Sequence, residues 1–149
     1  MALLIREFQP CDKTDYIEAS KQFYSLDAVL HPVPEENFAS TFEECLNHNP
    51  FMKGYTFVYD DVYAGYGLVS YTWSNEVGGL VVLLEEAYIL PAFQGRGIGS
   101  AYIRRVEEEN SDRAKRFRLE VTRSNTAAIA LYERLGYEAF DYMQMVKDL

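Results

Sequence analysis

The sequence predicts a mixed α/β (α+β) domain in which a central, mostly antiparallel sheet is flanked by helices. Three observations predict this class. Apolar residues recur at helical spacing in four stretches, strand-like stretches rich in aromatic and β-branched residues lie between them, and short turns join three consecutive strands. The expected order is one strand, two helices, three strands, a helix, a strand, a helix and a last strand.

The first part of the chain supplies one strand and two helices. The stretch "LLIREF" (3–8) has the composition of a strand, and Asp12 can cap a helix that runs from Lys13 to about Asp27. Pro34 suits the first turn of the second helix, and Pro50 disfavours its continuation.

Three strands in the middle of the chain form the predicted meander. They are "GYTFVY" (54–59), "AGYGLVSYTW" (64–73) and "LVVLLEEAYIL" (80–90), and only short turn regions separate them. The third is apolar at consecutive positions, which is typical of a central strand buried on both faces. Its neighbours Tyr63, Tyr66, Tyr71 and Trp73 are assigned to core packing in preference to an aromatic cage for an ammonium group.

The last part of the chain begins with "QGRGIG" (94–99), which opens a helix that runs to about Asn110. A strand is expected over 116–121 and a helix over 123–137. Ser124 or Asn125 can cap that helix, and Gly136 can close it. The stretch "YMQMV" (142–146) is expected to form the last strand.

Composition and charge exclude several classes of protein. The 149 residues fit one domain, 1–149. A content of 48% hydrophobic residues argues against a disordered chain. The net charge of −9 disfavours a nucleic-acid partner and suits a cationic substrate, although solubility explains the charge equally well. Cys11 and Cys45 lack metal-ligand spacing, so no metal is expected. No leader or membrane-spanning stretch is visible, and a cytoplasmic protein without a membrane partner is expected.

The three glycines of 94–99 indicate that the backbone must approach something closely. A P-loop is rejected because no Lys-Ser or Lys-Thr pair follows the glycines. A dinucleotide-binding fold is disfavoured because the preceding strand is the third of a meander and too little chain follows. Two interpretations remain: a pyrophosphate site at a helix N-terminus, and a tight turn packed on its neighbours. We favour the pyrophosphate site, since one glycine would suffice for the turn.

Two segments carry a resemblance to a known family. "YILPAFQGRGIGSAYI" resembles motif A of the GNAT superfamily of N-acetyltransferases, with Gln94, Gly97 and Gly99 at the pattern positions that hold the pyrophosphate of acetyl-CoA. "NTAAIALYERLGY" (125–137) resembles motif B of the same family, at the family's usual separation from motif A. "LEEAYILPAFQGRGIGS" is further similar to the diamine and polyamine acetyltransferase branch.

The resemblance implies the GNAT fold, whose sheet splays at the cofactor site, and acetyl-CoA as the acetyl donor. It implies an N-acetyltransferase that acts on a primary amine of a small molecule, polyamine-like in the branch named above. Two alternatives stay open: a non-catalytic CoA-binding regulatory module, and an acetyltransferase with a protein or peptide amine as acceptor. Members of the family often dimerise, which leaves a homodimer as an open expectation.

Candidate catalytic residues lie on the third meander strand and in motif B. Glu85 and Glu86 interrupt an apolar strand, where a carboxylate is costly unless it is paired or used, and adjacent strand residues are expected to face opposite sides. By resemblance, Glu85 is the general base ahead of Glu86, and Tyr132 is the general acid. The resemblance also implies cofactor contacts from Tyr132 and from Ala87, Tyr88, Ile89, Gln94, Gly95, Arg96, Gly97, Ile98, Gly99, Ser100, Asn125 and Ala128.

Overall fold

In the part of the chain that the structure describes, five strands form one sheet, and their spatial order is their order along the chain. They are β1 (Leu3–Glu7), β2 (Met52–Tyr59), β3 (Val62–Ser74), β4 (Gly79–Ile89) and β5 (Ala114–Leu119). The first three pairings are antiparallel, and β4 pairs with β5 in parallel. The computed structural model describes residues 2–26 and 32–149. The predicted fold class, including the meander, is confirmed.

In the described residues, four α-helices cover the sheet: α1 (Lys13–Phe23), α2 (Glu35–Leu46), α3 (Ile98–Glu109) and α4 (Thr126–Arg134). The first ends earlier than predicted, and the predicted end at Asp27 lies outside the described residues. No helix in the described ranges is long and apolar enough to cross a membrane.

Asp12 occupies the position before α1, but its side chain does not cap the helix as predicted. The carboxylate instead accepts hydrogen bonds from the Arg6 guanidinium at 2.7 and 3.0 Å, from the Gln9 N–H at 2.8 Å and from the Thr56 hydroxyl at 2.9 Å. These partners tie the start of α1 to β1 and β2.

The sheet buries a cluster of apolar side chains on each face. One cluster joins the sheet to α1 and α2 and includes Phe42, Tyr66, Leu68 and Tyr88. The other joins it to α3, with partly buried residues of α4 at its margin, and is largely formed by Tyr55, Phe57, Val69, Val82, Leu84, Ile98, Tyr102 and Val106. The predicted core role of Tyr66 is confirmed, whereas that of Trp73 is wrong, because 72% of its surface is exposed.

The predicted last strand is absent. Residues 137–149 form no helix or strand, and Met143, Met145 and Val146 are 85–88% exposed. Alternating apolar residues favour a strand, but the strand forms only when a neighbouring strand supplies backbone partners. Gly136 does close α4, with φ at +96°.

Candidate active site

In the loop between β4 and α3, open space surrounds the first two glycines. Gly95 and Gly97 have φ of +78° and +76°, a conformation that L side chains rarely adopt. Nothing in the described residues lies within 4 Å of the position that a Cβ would take at either residue. These two glycines are therefore not required by packing against the chain, and a ligand can approach their backbone closely.

Gly99 has a different role from the other two glycines. It lies inside α3, and a Cβ there would meet Ile89 Cδ1 at 3.5 Å and Leu131 Cδ2 at 3.9 Å, which is ordinary contact. Ile98, which is 1% exposed, anchors the helix start in the core, and Ser100 lies partly buried in the first turn. The loop thus stands on a packed base, with its open side at Gly95 and Gly97.

The N-terminus of α3 points its unpaired N–H groups toward this open side. Gly97 precedes the helix, and no side chain of the described residues caps it. The first N–H groups of a helix lack intrahelical partners and carry a partial positive charge, which suits a phosphate. The geometry of the loop therefore fits a phosphate group, such as the pyrophosphate that the resemblance implies.

Two side chains fix the loop. Gln94 donates from Nε2 to the Ile89 carbonyl oxygen at 3.1 Å, which holds the loop against the end of β4. Arg96 lies over the Tyr59 ring, 4.9 Å from its centroid, and within 5.5 Å of the Phe93 ring centroid. Because these rings hold its guanidinium beside the glycines, Arg96 adds positive charge to the loop.

The sheet opens between β4 and β5. Their pairing ends at Leu84 opposite Leu119, whereas β4 continues to Ile89. Over Ala87, Tyr88 and Ile89, β4 pairs with β3 only. The backbone groups that these residues direct away from β3 can pair with an extended ligand such as pantetheine. The expected splay of the sheet is thus present beside the expected cofactor contacts.

A β-bulge lies where the sheet opens. Leu68 of β3 pairs with Glu86 and Val69 pairs with Leu84, so that Glu85 is an extra residue without its own partner in the register. A bulge re-aims the side chains around it. Leu84 belongs to the cluster on the α3 face, but Tyr88 belongs to the cluster on the α1 and α2 face.

Because of the bulge, the prediction that Glu85 and Glu86 face opposite sides of the sheet is wrong. Glu86 accepts hydrogen bonds from Tyr24 at 2.5 Å and Tyr66 at 2.7 Å, on the face covered by α1 and α2. Glu85 accepts a hydrogen bond from Ser70 at 3.0 Å. Strand alternation puts Ser70 on the same face as Leu68, which belongs to the α1 and α2 cluster. Both carboxylates therefore lie on one face.

The two carboxylates differ in their surroundings. Burial raises the pKa of Glu86, and the nearby Glu85 carboxylate raises it further, while the hydroxyls of Tyr24 and Tyr66 oppose the shift. Both Glu86 oxygens are used by the tyrosines. Glu85 is exposed, and only its Oε1 accepts a hydrogen bond within the described residues.

Tyr132 lies on α4 and packs at the margin of the cluster on the α3 face. Its ring centroid is 6.4 Å from that of Tyr137. Burial raises the pKa of Tyr132, so the hydroxyl is protonated at neutral pH. The hydroxyl has no hydrogen-bond partner in the part of the chain that the structure describes, and it is free to donate a proton.

Asn125 caps α4, because its Oδ1 accepts a hydrogen bond from the Ala128 N–H at 3.3 Å. The predicted cap is confirmed at Asn125 and not at Ser124. Asn125 precedes the helix that carries Tyr132, and Ala128 lies in the first turn of that helix.

Sequence reasoning missed the partners of Glu86. Tyr24 follows α1, and Tyr66 lies in the middle of β3, where core packing was its assigned role. The contacts span 62 and 20 residues. The residues around these tyrosines have the apolar pattern of ordinary core residues. The signal that polar partners must exist was the glutamate within the apolar stretch of β4.

Comparison with known proteins agrees with this geometry. The family model described as "Acetyltransferase (GNAT) family" matches residues 14–137. Thialysine N-epsilon-acetyltransferase of Sus scrofa is 40% identical over 73 residues, which cover 48% of this chain and 42% of that protein. The alignment thus spans less than half the length of this curated relative.

Solved structures share the fold at low sequence identity. A possible acetyltransferase from Clostridium difficile 630 superposes with a TM-score of 0.83 at 16% identity and covers 100% of this chain and 99% of its own. Aminoglycoside N-acetyltransferase AAC(6')-Iy in complex with CoA superposes with a TM-score of 0.80 at 19% identity, covering 99% and 95%. The family match spans most of the chain and includes the glycine loop, β4 and α4, and the chain belongs to the acetyltransferase (GNAT) family.

Proposed function

We propose that this chain, as one catalytic domain over residues 1–149, transfers an acetyl group from acetyl-CoA to a primary amine of a small, cationic molecule. The observation that carries the proposal is the pair of carboxylates, Glu85 and Glu86, at the bulge where β4 loses β5 as a neighbour. No ion pair within the described residues neutralises either of them. An unneutralised negative site next to a cofactor cleft suits an ammonium group.

The cofactor-binding residues divide into two groups. The glycine loop and the start of α3 would hold the pyrophosphate, with Arg96 adding charge. The backbone of Ala87, Tyr88 and Ile89 would pair with the pantetheine arm, and one of their N–H groups would polarise the thioester carbonyl. Gln94 supports this arrangement by holding the loop against Ile89. Acetyl-CoA would supply the acetyl group as a thioester.

The base and the acid flank the opening from opposite faces. Glu85 is the better base of the two glutamates, because it is exposed and its Oε2 is not used by the protein. It would take a proton from the incoming ammonium group, directly or through water, so that the neutral amine can attack. Tyr132 would give its proton to the leaving thiolate.

Glu86 would attract and orient the acceptor. Both its oxygens already accept tyrosine hydroxyls, so it is less suited than Glu85 to take a proton. Its charge would act on a cation bound beside Glu85. The curated relative named above acts on thialysine, and the structural neighbour on aminoglycosides; both names describe small molecules with amines, which supports a small acceptor.

The proposal is tested by thiol release from acetyl-CoA with a panel of polyamines, aminoglycosides, amino acids and N-terminal peptides. We expect release with small polycationic amines. If only the peptides support thiol release, the acceptor is a protein or peptide amine and not a small molecule. Tight CoA binding by calorimetry without thiol release across the panel would instead identify a CoA-binding regulatory module.

Variants test the individual roles. Glu85→Gln should lower kcat by about 10²–10⁴-fold, the usual range for a general base. Glu86→Gln should mainly raise KM for the amine. Tyr132→Phe should lower kcat while CoA affinity is kept, and Tyr137→Phe is the matched control, since that tyrosine lies beside Tyr132 and binds Glu107. Equal kcat for Tyr132→Phe and Tyr137→Phe would remove Tyr132 as the acid.

A further inference from the structure

A cavity separate from the candidate active site lies near the start of β2. It has a volume of about 200 Å³. Five parts of the chain line it: the end of β1, the end of α2 with the loop after it, the start of β2, β3, and the turn between α3 and β5. A cavity of about 150 Å³ is large enough for benzene, so this one has room for a small organic molecule.

Arg113 lines this cavity in a fixed orientation. Its guanidinium donates from Nε and Nη2 to Asn110 Oδ1 at 3.1 and 2.9 Å. Asn110 is 1% exposed and donates in turn to the Val106 carbonyl oxygen at 2.7 Å. The Arg113 guanidinium also lies over the Tyr71 ring, 4.8 Å from its centroid. No carboxylate among the described residues pairs with Arg113, so it is an oriented cation with unused N–H donors.

Lys53 supplies a second cation to the cavity. Its Nζ lies 3.7 Å from Glu109 Oε2, which is beyond hydrogen-bond distance. Glu109 has a closer cationic partner, because Arg105 Nε lies 2.6 Å from its Oε1. Within the described ranges, the Lys53 ammonium group therefore keeps its N–H donors for another acceptor.

Tyr71 lines the cavity, and its hydroxyl is buried without a hydrogen-bond partner in the part of the chain that the structure describes. Burial raises the pKa of Tyr71, and Arg113 opposes that rise. Glu109 and Glu7 add to the rise, so charges of both signs act on this hydroxyl. A buried hydroxyl without a partner is costly, and it is expected where a ligand or a water molecule completes the contact.

The rest of the lining restricts the class of ligand. Glu7 lines the cavity, and its negative charge disfavours a ligand that carries more than one negative charge. Met52, Pro50 and Cys45 supply apolar surface. Burial raises the pKa of the Cys45 thiol to about 12, so this thiol is uncharged at neutral pH. His48 also lines the cavity and adds no negative charge.

We propose that this cavity binds a short aliphatic monocarboxylate. Arg113 and Lys53 donate to its carboxylate group, and its alkyl chain packs against Met52 and Cys45. Hydrogen bonds between a charged donor and a charged acceptor are the strong ones, and a guanidinium can bind a carboxylate through two N–H groups.

The cavity and the candidate base lie on opposite faces of the sheet. Ser70 donates to Glu85 on the face covered by α1 and α2. Tyr71 is the next residue of β3, and it packs against the cluster on the α3 face. The proposal therefore goes beyond the proposed acetyl transfer and can be tested without it.

Titration of the isotope-labelled protein with sodium butyrate, followed by NMR at constant ionic strength, is the first test. We expect saturable shifts of the backbone amides around the cavity, in residues 47–53 and 110–113, and none in the glycine loop, 94–99. Sodium sulfate and choline chloride should give no saturable shifts, because sulfate carries a second negative charge and choline has no carboxylate. Butyrate shifts no larger than those with sodium chloride, or equal affinity for sulfate, would overturn the proposal.

Charge-removing variants assign the binding to these residues. Arg113→Gln should weaken butyrate binding about tenfold or more, and Lys53→Gln should weaken it less. Arg104→Gln is the matched control, since Arg104 is exposed on α3 outside the cavity and its variant should keep the affinity of the wild type. Glu7→Gln should admit sulfate. The NMR spectrum of each variant shows whether it is folded, and Lys53→Gln and Glu7→Gln carry the test if Arg113→Gln is not. Unchanged affinity in the folded cavity variants, or an equal loss in Arg104→Gln, would contradict the assignment.

Discussion

The carboxylates of Asp12 and Glu86 are both shielded from bulk water, but their pKa values shift in opposite directions. Asp12 is 4% exposed and accepts hydrogen bonds from Arg6, Gln9 and Thr56. Glu86 is partly buried and, among the described residues, accepts hydrogen bonds only from two neutral tyrosines. Burial raises the pKa of both groups, but at Asp12 the Arg6 cation and the other donors outweigh it, and the net shift is downward.

This comparison distinguishes a carboxylate with a structural role, Asp12, from one that is available to a ligand, Glu86. A paired buried carboxylate holds elements together, as Asp12 does for β1, β2 and the start of α1. A carboxylate without a cation is destabilising on its own, and a protein keeps it where binding or chemistry uses it. Glu86 adjoins the opening between β4 and β5, which is where such a use is expected.

The largest expected effect is at Asp12. Asp12→Asn removes the charged partner of the Arg6 guanidinium, whose side chain is 23% exposed, and should lower the free energy of unfolding by about 3 kcal/mol at pH 7. The pKa of Asp12 is lowered from its ordinary value of 3.8, so its contribution is present above that value and is lost as the pH falls through the folded pKa. Urea unfolding should show the wild-type and variant stabilities converging at low pH. Asp15→Asn, at an exposed site on α1, should cost far less; an equal cost would remove the structural role of Asp12.

A smaller effect is expected from the tyrosines that support Glu86. Tyr66→Phe removes a hydrogen bond to a partly buried carboxylate and should cost about 1.5–3 kcal/mol. Tyr63→Phe is the matched control, because the Tyr63 hydroxyl is buried without a hydrogen-bond partner in the described residues. Its loss should leave the thermal midpoint unchanged or raise it. Equal destabilisation by both variants would mean that the Glu86 contact adds nothing.

The smallest effect, and the most informative sign, is expected at Glu86 itself. Its folded pKa is raised, so the wild-type protein loses stability as the pH rises through that pKa, whereas a Gln variant does not. Glu86→Gln should therefore gain stability relative to the wild type as the pH rises from the ordinary carboxyl value of 4.5 through the raised folded pKa, by about 1.4 kcal/mol for each unit of the shift. Thermal unfolding across this range measures it. The opposite trend would show that a cation neutralises Glu86 as Arg6 neutralises Asp12.

Sequence patterns were sufficient for most of the fold and for the position of the glycine loop between β4 and α3. The meander, the helix after "QGRGIG" and the cap at Asn125 follow from local periodicity and from residue preferences that act over a few positions. The faces of Glu85 and Glu86 did not follow, because a one-residue bulge between β3 and β4 overrides strand alternation. The strand expected at 142–146 is absent, since a strand depends on a partner that local sequence does not supply.

The sequence by itself determined the order of elements up to α4, the place of the glycine loop and the residue types available for chemistry. These are local properties of the chain, set by steric limits and by the spacing of apolar residues. Only the tertiary structure decided which carboxylate is paired with a cation, which is supported by tyrosines and which remains open to solvent. Those outcomes depend on contacts between residues far apart in the chain, such as Tyr24 with Glu86, and they exist only once the sheet and helices have packed.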